Sequence, residues 1–287
     1  MQVFERVPEL RAFLSPLRAG RVVFVPTMGF LHEGHLALMR RARDHGATVV
    51  SSIFVNPAQF GPNEDLSRYP RDLEGDLRKC KDSAVDAVFL PSVEVMYPAG
   101  HHTTISVGEL SVPLCGRSRP IHFAGVCTVV AKLFNIVGCD VAIFGEKDFQ
   151  QLAVIRQMVK DLDYPLEVVG HPIVREPDGL AMSSRNVNLT PRQRAASTSL
   201  SRGLAAAREA FERGEREPRL LESIVRHVVS SQPEGEVDYI ELRDATDLSA
   251  LDGPVSRSAV LAVAVRFGGT RLIDNTVLVG PLSRSRA

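Results

Sequence analysis

Apolar runs of strand length recur along the first 175 residues of the chain. RVVFVP (21–26) and TVVSSIFV (48–55) are rich in β-branched residues, which is typical of buried strands. AVDAVFLP (84–91), DVAIFG (140–145) and LEVVGHPIV (166–174) follow the same pattern. These five runs predict a sheet whose strands are distributed along the chain.

Stretches with helical periodicity separate some of these runs. One apolar stripe has i, i+3, i+4, i+7 spacing and consists of Val126, Val129, Val130, Leu133, Phe134 and Val137. A second stripe follows the fourth run and consists of Leu152, Ile155, Val159 and Leu162. Strands that alternate with helices predict right-handed crossovers and a parallel sheet with helices on both faces. Such a sheet binds ligands at the carboxyl ends of its strands.

The pattern changes after about residue 176. Thr190 followed by Pro191 is typical of a helix start. The helix predicted there carries on one face Leu200, Leu204, Ala207 and Phe211. A second helix around LLESIVRHVV (220–229) precedes three strand-like runs at 237–244, 259–267 and 271–278. This order predicts a small α+β domain.

Length, charge and cysteine spacing restrict the classes of function. A chain of 287 residues allows two domains, which we place at residues 1–175 and 176–287. The 34 basic and 34 acidic side chains cancel, so we expect no nucleic-acid partner. The apolar runs are too short to span a bilayer, and Glu5 and Glu9 lie where a signal peptide needs apolar residues. We therefore expect a cytoplasmic protein without a membrane partner. The four cysteines lack CxxC spacing, so we expect buried free thiols rather than a disulfide framework or a zinc site.

The segment VPTMGFLHEGHLAL (25–38) places His32 and His35 where a predicted strand gives way to a helix. A zincin motif separates its histidines by four positions, so a spacing of three does not predict zinc. Packing in the core is an alternative for such a pair. Gly29 and Gly34 allow close approach of a ligand to the backbone, and a helix N-terminus attracts phosphate. The combination favours a triphosphate, although P-loop and GxGxxG motifs are absent.

Two further segments follow predicted strands. In FGEKDFQQL (144–152), Lys147 is a candidate phosphate contact, Asp148 could accept from a ribose hydroxyl, and Gln151 shares the helix face of Lys147. A solvated helix start with an acidic first turn is the alternative there. In FVNPAQF (54–60), Gln59 presents an amide that, together with Gln151, suits a small polar substrate.

The segment DGLAMSSRN (178–186) adds hydroxyl donors and a guanidinium group. Ser183 and Ser184 can donate hydrogen bonds, and Arg185 suits a phosphoryl group because its planar fork matches phosphate oxygens. As a single loop it is weak support for a site, so its meaning depends on the other segments.

Taken together, six segments resemble the pantothenate synthetase (pantoate–β-alanine ligase) family in order and spacing. They are PTMGFLHEGH, FVNPAQF, YPRDLEGD, SRPIHFAGVCTVVAKLFNIV, FGEKDFQQL and DGLAMSSRN. The resemblance runs from Val22 to Leu189 and continues more weakly beyond. It implies a Rossmann-like core of the nucleotidyltransferase group, similar to class I aminoacyl-tRNA synthetases, with the C-terminal domain acting as a lid.

The resemblance also implies roles for individual residues. The implied ATP-binding set is Met28, Gly29, His32, His35, Gly145, Glu146, Lys147, Asp148, Val174, Met182, Ser183, Ser184 and Arg185. Within it, His35 would be a proton donor, and His32, Lys147 and Arg185 would act on the phosphates. These four residues form the implied catalytic group.

The acid, amine and metal sites are implied in the same way. Gln59 and Gln151 would bind pantoate, and Gln59 would also lie near β-alanine. Asp76 is similar to an acidic position associated with Mg²⁺, although Gly75 stands where the family often has a second acidic residue. The implied protein is a homodimer.

The implied reaction condenses pantoate with β-alanine in two steps, with ATP as co-substrate. Pantoyl adenylate and pyrophosphate form first, and the amine then displaces AMP to give pantothenate. Two other functions stay open from the residues alone. One is simple nucleotidyl transfer without β-alanine, and the other is nucleotide sensing without turnover.

Overall fold

The computed structural model describes residues 1–62 and 64–279. Its chain forms two units that are each described below in their own right. The first unit comprises Met1–Val112, Arg119–Glu146 and Gln151–Val174. The second comprises Pro113–Ser118, Lys147–Gln150 and the chain from Arg175 onward. Two short segments that precede residue 175 in sequence therefore belong to the second unit.

Nine strands are present in the described part of the chain. They are β1 (Gln2–Phe4), β2 (Val22–Thr27), β3 (Thr48–Ile53), β4 (Ala87–Phe89), β5 (Val141–Gly145), β6 (Glu167–His171), β7 (Gly235–Asp244), β8 (Ala259–Phe267) and β9 (Thr270–Leu278). The first six form one sheet in the order β1-β4-β3-β2-β5-β6, and every neighbouring pair in it is parallel. The last three form an antiparallel sheet in the order β7-β8-β9.

Ten α-helices lie in the same described ranges. They are α1 (Val7–Leu14), α2 (Glu33–His45), α3 (Leu73–Asp82), α4 (Val93–Met96), α5 (Cys115–Ser118), α6 (His122–Val137), α7 (Phe149–Asp161), α8 (Pro191–Ser197), α9 (Ser199–Glu212) and α10 (Pro218–Ser230). Short 3-10 turns occur at Ser15–Leu17, Pro57–Gln59, Leu66–Arg68, Glu109–Ser111, Glu146–Asp148 and Ser184–Asn188.

Strand alternation gives the first sheet two buried faces. Val23 and Val25 of β2 pack with Leu38 and Met39 of α2, and Cys80 of α3 joins the same cluster. The alternate side chains of each strand point to the other face of the sheet. There α6 contacts both β2 and α1. A parallel sheet needs cover on both faces, which explains why its strands read as continuous apolar runs.

The second unit packs helices on one face of its antiparallel sheet. Leu204 and Phe211 of α9 and Val225 of α10 form a cluster with Leu261 and Val263 of β8. Side chains on one face recur every two residues along a strand and every 3.6 residues along a helix, so each element presents one apolar face to the other. The burial of this face stabilises the unit.

The sequence-based fold class is confirmed, and the differences are local. The short edge strand β1 was not predicted, because three residues carry too little pattern. The helix predicted after Thr190 is divided at Thr198 into α8 and α9. All four cysteines are free and buried, as predicted. Within residues 1–62 and 64–279, no helix has both the length and the apolar character needed to cross a bilayer.

Candidate active site

The strand order of the first unit places a topological switch point between β2 and β5. The chain leaves β2 towards β3 on one side, whereas β5 lies on its other side. Two parallel strands whose connections diverge in this way leave space at their carboxyl ends, which is where open α/β sheets bind ligands. Met28 and Gly29 follow β2, and Gly145 ends β5. The motifs PTMGFLHEGH and FGEKDFQQL therefore begin at this switch point.

A tight loop delivers the histidine pair to the start of α2. Gly29 has a φ of 79° and Phe30 a φ of 49°, so the backbone turns through the left-handed region. His32 is the N-cap of α2. Its backbone N–H donates to Nδ1 of His35 at 3.2 Å, and the two ring centroids are 4.0 Å apart. Because a backbone N–H only donates, Nδ1 accepts, and a neutral His35 carries its proton on Nε2.

Asp76 of α3 holds this loop in place. One carboxylate oxygen accepts from Phe30 N and the other from Leu31 N, both at 2.7 Å. The residue is 1% exposed. Lys79, one turn further along α3, donates from Nζ to the Leu31 carbonyl at 2.8 Å. A Cβ on Gly29 would lie 3.0 Å from the Asp76 carboxylate, so the loop and α3 fit closely.

Polar contacts fix the side chain of Gln59. It is 7% exposed, its Oε1 accepts from Nδ2 of Asn56 at 3.1 Å, and its Nε2 lies 3.1 Å from the sulfur of Met28. Tyr97 donates from its hydroxyl to Oδ1 of Asn56 at 2.8 Å, and burial raises the pKa of Tyr97 to about 12. Gln59, a predicted pantoate-binding residue, thus lies beside Met28, which belongs to the predicted ATP-binding set. Tyr97 was not predicted, since no local pattern marks it.

A second group of side chains holds the Gln59 backbone. His122 lies 3.1 Å from the Gln59 carbonyl through Nδ1, and Arg119 lies 3.1 Å from His122 Nε2. Because a guanidinium only donates, Nε2 of His122 accepts and Nδ1 donates to the carbonyl. Arg119 also pairs with Glu64 at 2.5 Å. Burial raises the pKa of Glu64, but the hydrogen bond and charge of Arg119 outweigh it, so the pKa is lowered.

The second unit contains the other predicted phosphate residues. Lys147 donates from Nζ to Asp148 at 2.9 Å, and its side chain is 21% exposed. Ser183 is the N-cap of the 3-10 turn at Ser184–Asn188 and accepts from Arg185 N at 3.2 Å. The local turn therefore presents the serine and arginine side chains from one short segment.

The predicted site residues divide between the two units. The first unit contains Met28, Gly29, His32, His35, Gln59, Asp76, Gly145, Glu146, Gln151 and Val174. The second contains Lys147, Asp148, Met182, Ser183, Ser184 and Arg185. Their individual roles stay predictions. Among residues 1–62 and 64–279, no three His, Cys, Asp or Glu side chains gather as a metal site would require.

The first unit combines a parallel sheet with a helix N-terminus that carries two histidines beside the switch point. These features are typical of α/β proteins that bind phosphate-containing ligands at the carboxyl ends of their strands. Comparison with known proteins makes the assignment specific. The family model described as pantoate-beta-alanine ligase matches residues 2–277. A pantothenate synthetase of Pelotomaculum thermopropionicum is 55% identical, with 97% of this chain and 99% of that protein covered. One of Desulfitobacterium hafniense is 52% identical over 98% of this chain and 100% of that protein.

Solved structures give the same result. The pantothenate synthetase of Thermus thermophilus matches with a TM-score of 0.92 at 48% identity, covering 96% of this chain and 99% of that one. A pantoate-beta-alanine ligase of Francisella tularensis, complexed with β-γ ATP and β-alanine, matches with a TM-score of 0.80 at 31% identity, covering 96% and 97%. This chain belongs to the pantoate–β-alanine ligase family. The resemblance inferred from the sequence and the enzyme class, a ligase, are confirmed.

Proposed function

We propose that this ligase condenses pantoate with β-alanine, using ATP and releasing AMP and pyrophosphate. The pantoate carboxylate attacks the α-phosphorus of ATP, and the bond to the leaving pyrophosphate breaks. The β-alanine amine then attacks the carbonyl of pantoyl adenylate, loses a proton and displaces AMP. The carrying observation is the histidine pair at the switch point of a chain in this family. The ligands in the related Francisella structure support ATP and β-alanine.

The histidine pair would act on the phosphates. Because Nδ1 of His35 accepts from His32 N, a neutral His35 carries its proton on Nε2. His35 can therefore donate to a phosphate oxygen without changing tautomer. Negative charge grows on the leaving pyrophosphate, so a preformed donor stabilises the transition state more than the ground state. The N-terminus of α2 adds its partial positive charge.

Lys147 and the Met182–Arg185 segment supply the remaining charge in this proposal. Their ammonium, hydroxyl and guanidinium groups are donors suited to a triphosphate. Asp148 now accepts from Lys147, and a phosphate would compete for the same ammonium. Gly145, Glu146, Asp148 and Val174 are proposed to line the nucleoside.

The acid substrate is proposed to bind the two glutamine amides. Hydrogen bonds already hold both the side chain and the carbonyl of Gln59, so little conformational entropy is lost when its amide binds the substrate. Gln151 lies in the first turn of α7. Neutral amides suit pantoate because they can bind its hydroxyl and carboxylate groups without quenching the carboxylate as a nucleophile.

Mg²⁺ fits the reaction through the phosphates better than through Asp76. Both Asp76 oxygens accept backbone hydrogen bonds and the residue is 1% exposed, so a direct ligand role stays a prediction that this geometry disfavours. Mg²⁺ commonly binds substrate phosphates and keeps several waters. A homodimer, a cytoplasmic location and a lid role for the second unit are further proposals that rest on the family resemblance.

The testing experiment is isotope exchange between pyrophosphate and ATP, with pantoate present and β-alanine withheld. Pantoate-dependent exchange is expected, because adenylate formation is reversible. Addition of β-alanine should then yield AMP and pantothenate in equal amounts. ATP binding without exchange would instead support nucleotide sensing, and exchange that needs no pantoate would contradict the proposed acid substrate.

A further inference from the structure

Asn275 of β9 contacts the backbone of the predicted phosphate lysine. It is 4% exposed, and its Nδ2 donates to the carbonyl of Lys147 at 2.9 Å. The carbonyl can only accept, so the amide nitrogen must face it. Asn275 pairs with Ala262 in the antiparallel register of β8 and β9. The Lys147 backbone is therefore hydrogen-bonded to a strand that is far from it in sequence.

The preceding residue of β9 holds the second phosphate segment. Asp274 accepts from both terminal nitrogens of Arg175, at 2.6 and 3.0 Å, and its side chain is 1% exposed. Arg175 also donates to the Gly179 carbonyl at 3.0 Å and forms a β-bridge with Ala181. This turn leads directly into Met182–Arg185. Successive side chains of a strand point to opposite faces, so Asp274 and Asn275 reach the two segments from the two faces of one sheet.

The far end of the lysine segment is fixed within the same unit. Gln150 donates from Nε2 to the Pro113 carbonyl at 2.6 Å and accepts on Oε1 from Cys115 N at 3.0 Å. Lys147–Gln150 is thus attached to the second unit at both its ends, whereas its chain neighbours Glu146 and Gln151 belong to the first unit. The Lys147 backbone is consequently held on β9 through its hydrogen bond with Asn275.

We propose that Asn275 and Asp274 are positioning residues for ATP binding. Asn275 fixes Lys147, and Asp274 fixes the Met182–Arg185 segment, so that one strand sets the spacing of the two phosphate-binding groups. A triphosphate binds most tightly when the groups that contact it are preorganised, because ordering them during binding reduces affinity. This inference rests on the proposed phosphate role of these groups.

The test compares Asn275→Asp with a control on the same strand. Asn275→Asp keeps the shape but turns a carboxylate oxygen towards the Lys147 carbonyl, which replaces attraction by repulsion. The KM for ATP should rise about tenfold, since loss of one buried hydrogen bond has about that effect. The KM values for pantoate and β-alanine should change less than about twofold. Asn275→Ala, which removes the amide without adding charge, should give a smaller rise in the same KM.

Thr276→Val is the matched control. Thr276 is also buried in β9, but its hydroxyl accepts from Arg208 of α9. This variant should lose thermal stability and keep the wild-type KM for ATP. Direct ATP titration by calorimetry should give the same ranking as the kinetics.

Two results would overturn the inference. One is an unchanged ATP affinity in both Asn275 variants, and the other is an equal loss of affinity in Thr276→Val. Failure of the proposed function has a different signature, namely a wild-type protein without pantoate-dependent exchange. In that case the calorimetric affinities of the variants still decide whether Asn275 positions the ATP-binding groups.

Discussion

Single buried side chains set the geometry of the histidine loop. Asp76 uses both carboxylate oxygens to bind consecutive backbone N–H groups of Phe30 and Leu31. Charge-assisted hydrogen bonds of this kind are stronger than neutral ones, and they hold a loop whose backbone enters the left-handed region at Gly29 and Phe30. At the residue scale, the position of His32 and His35 therefore depends on a carboxylate 41 positions after His35 in sequence.

Asp76→Asn should lower kcat by about tenfold or more, because the new amide would place a donor against a backbone N–H donor. Raising the Mg²⁺ concentration should not restore the activity. Steady-state kinetics at several Mg²⁺ concentrations provide the measurement. Asp72→Ala is the control, since Asp72 caps the same helix by accepting from Gly75 N. Recovery of Asp76→Asn at high Mg²⁺ would instead assign the residue to the metal.

His35→Ala should reduce kcat/KM by about a hundredfold or more, because it removes the preformed Nε2 donor. Thermal unfolding should remain close to that of the wild type. The matched control is His45→Ala, at the other end of the same helix, about 15 Å away along the axis. Pyrophosphate exchange is the measurement, and near-normal exchange in His35→Ala would contradict the proton-donor role.

At the scale of elements, two helix starts carry candidate site residues. His32 is the N-cap of α2, and Ser183 is the N-cap of the 3-10 turn in the serine–arginine segment. α8 has a purely structural cap, in which Thr190 and Gln193 exchange side-chain hydrogen bonds with each other's backbone N–H groups. The helix starts with candidate site residues and the structural start of α8 use similar local hydrogen bonds, so their side chains, and not their geometry, distinguish them.

Thr190→Ala should reduce the free energy of unfolding by about 1 kcal/mol, because an N-cap oxygen is lost. ATP affinity and kcat should remain unchanged at temperatures well below the transition. Scanning calorimetry provides the measurement. Ser223→Ala is the control, since the Ser223 hydroxyl donates to the Leu220 carbonyl within its own helix. An equal loss of stability in both variants would argue against the capping role.

At the scale of the whole molecule, ion pairs connect segments that are distant in sequence. Glu64 and Arg119 form an ion pair within the first unit. Arg119 also hydrogen-bonds to His122, which donates to the Gln59 carbonyl. The pKa of Glu64 is lowered in the folded protein, so its ionised form is favoured by folding. By linkage, this stability is present above the unfolded-state pKa and is lost as the pH falls through the lower folded-state pKa.

Glu64→Gln should be less stable than the wild type by about 1 kcal/mol at pH 7, a value that allows for solvent screening of a partly exposed pair. The difference should shrink as the pH falls below the ordinary value of 4.5 and disappear in stronger acid. Urea unfolding at pH 7, 5 and 3 is the measurement. Glu74→Gln, which removes a side chain that is 92% exposed, should show no such dependence. A pH-independent difference would rule out the ionised pair as its cause.

The sequence by itself determined the type of most elements and the family. β-branched runs and 3.6-residue stripes are local patterns, and each depends on neighbours a few positions away. Strands β2, β3 and β5, helix α6 and the six motif segments could therefore be identified without a structure. The short strand β1 and the break at Thr198 were missed because three-residue elements and single-residue interruptions leave little periodic signal.

Only the tertiary structure decided which of these segments meet. The strand order that brings β5 beside β2, the Asp76 clamp on the histidine loop and the attachment of Lys147 to Asn275 all join positions far apart in sequence. Such pairings follow from the packing of whole faces and from the hydrogen-bonding needs of buried groups, which no local window contains. For this reason the motifs predicted the chemistry, whereas the residues that position them became visible only in the folded chain.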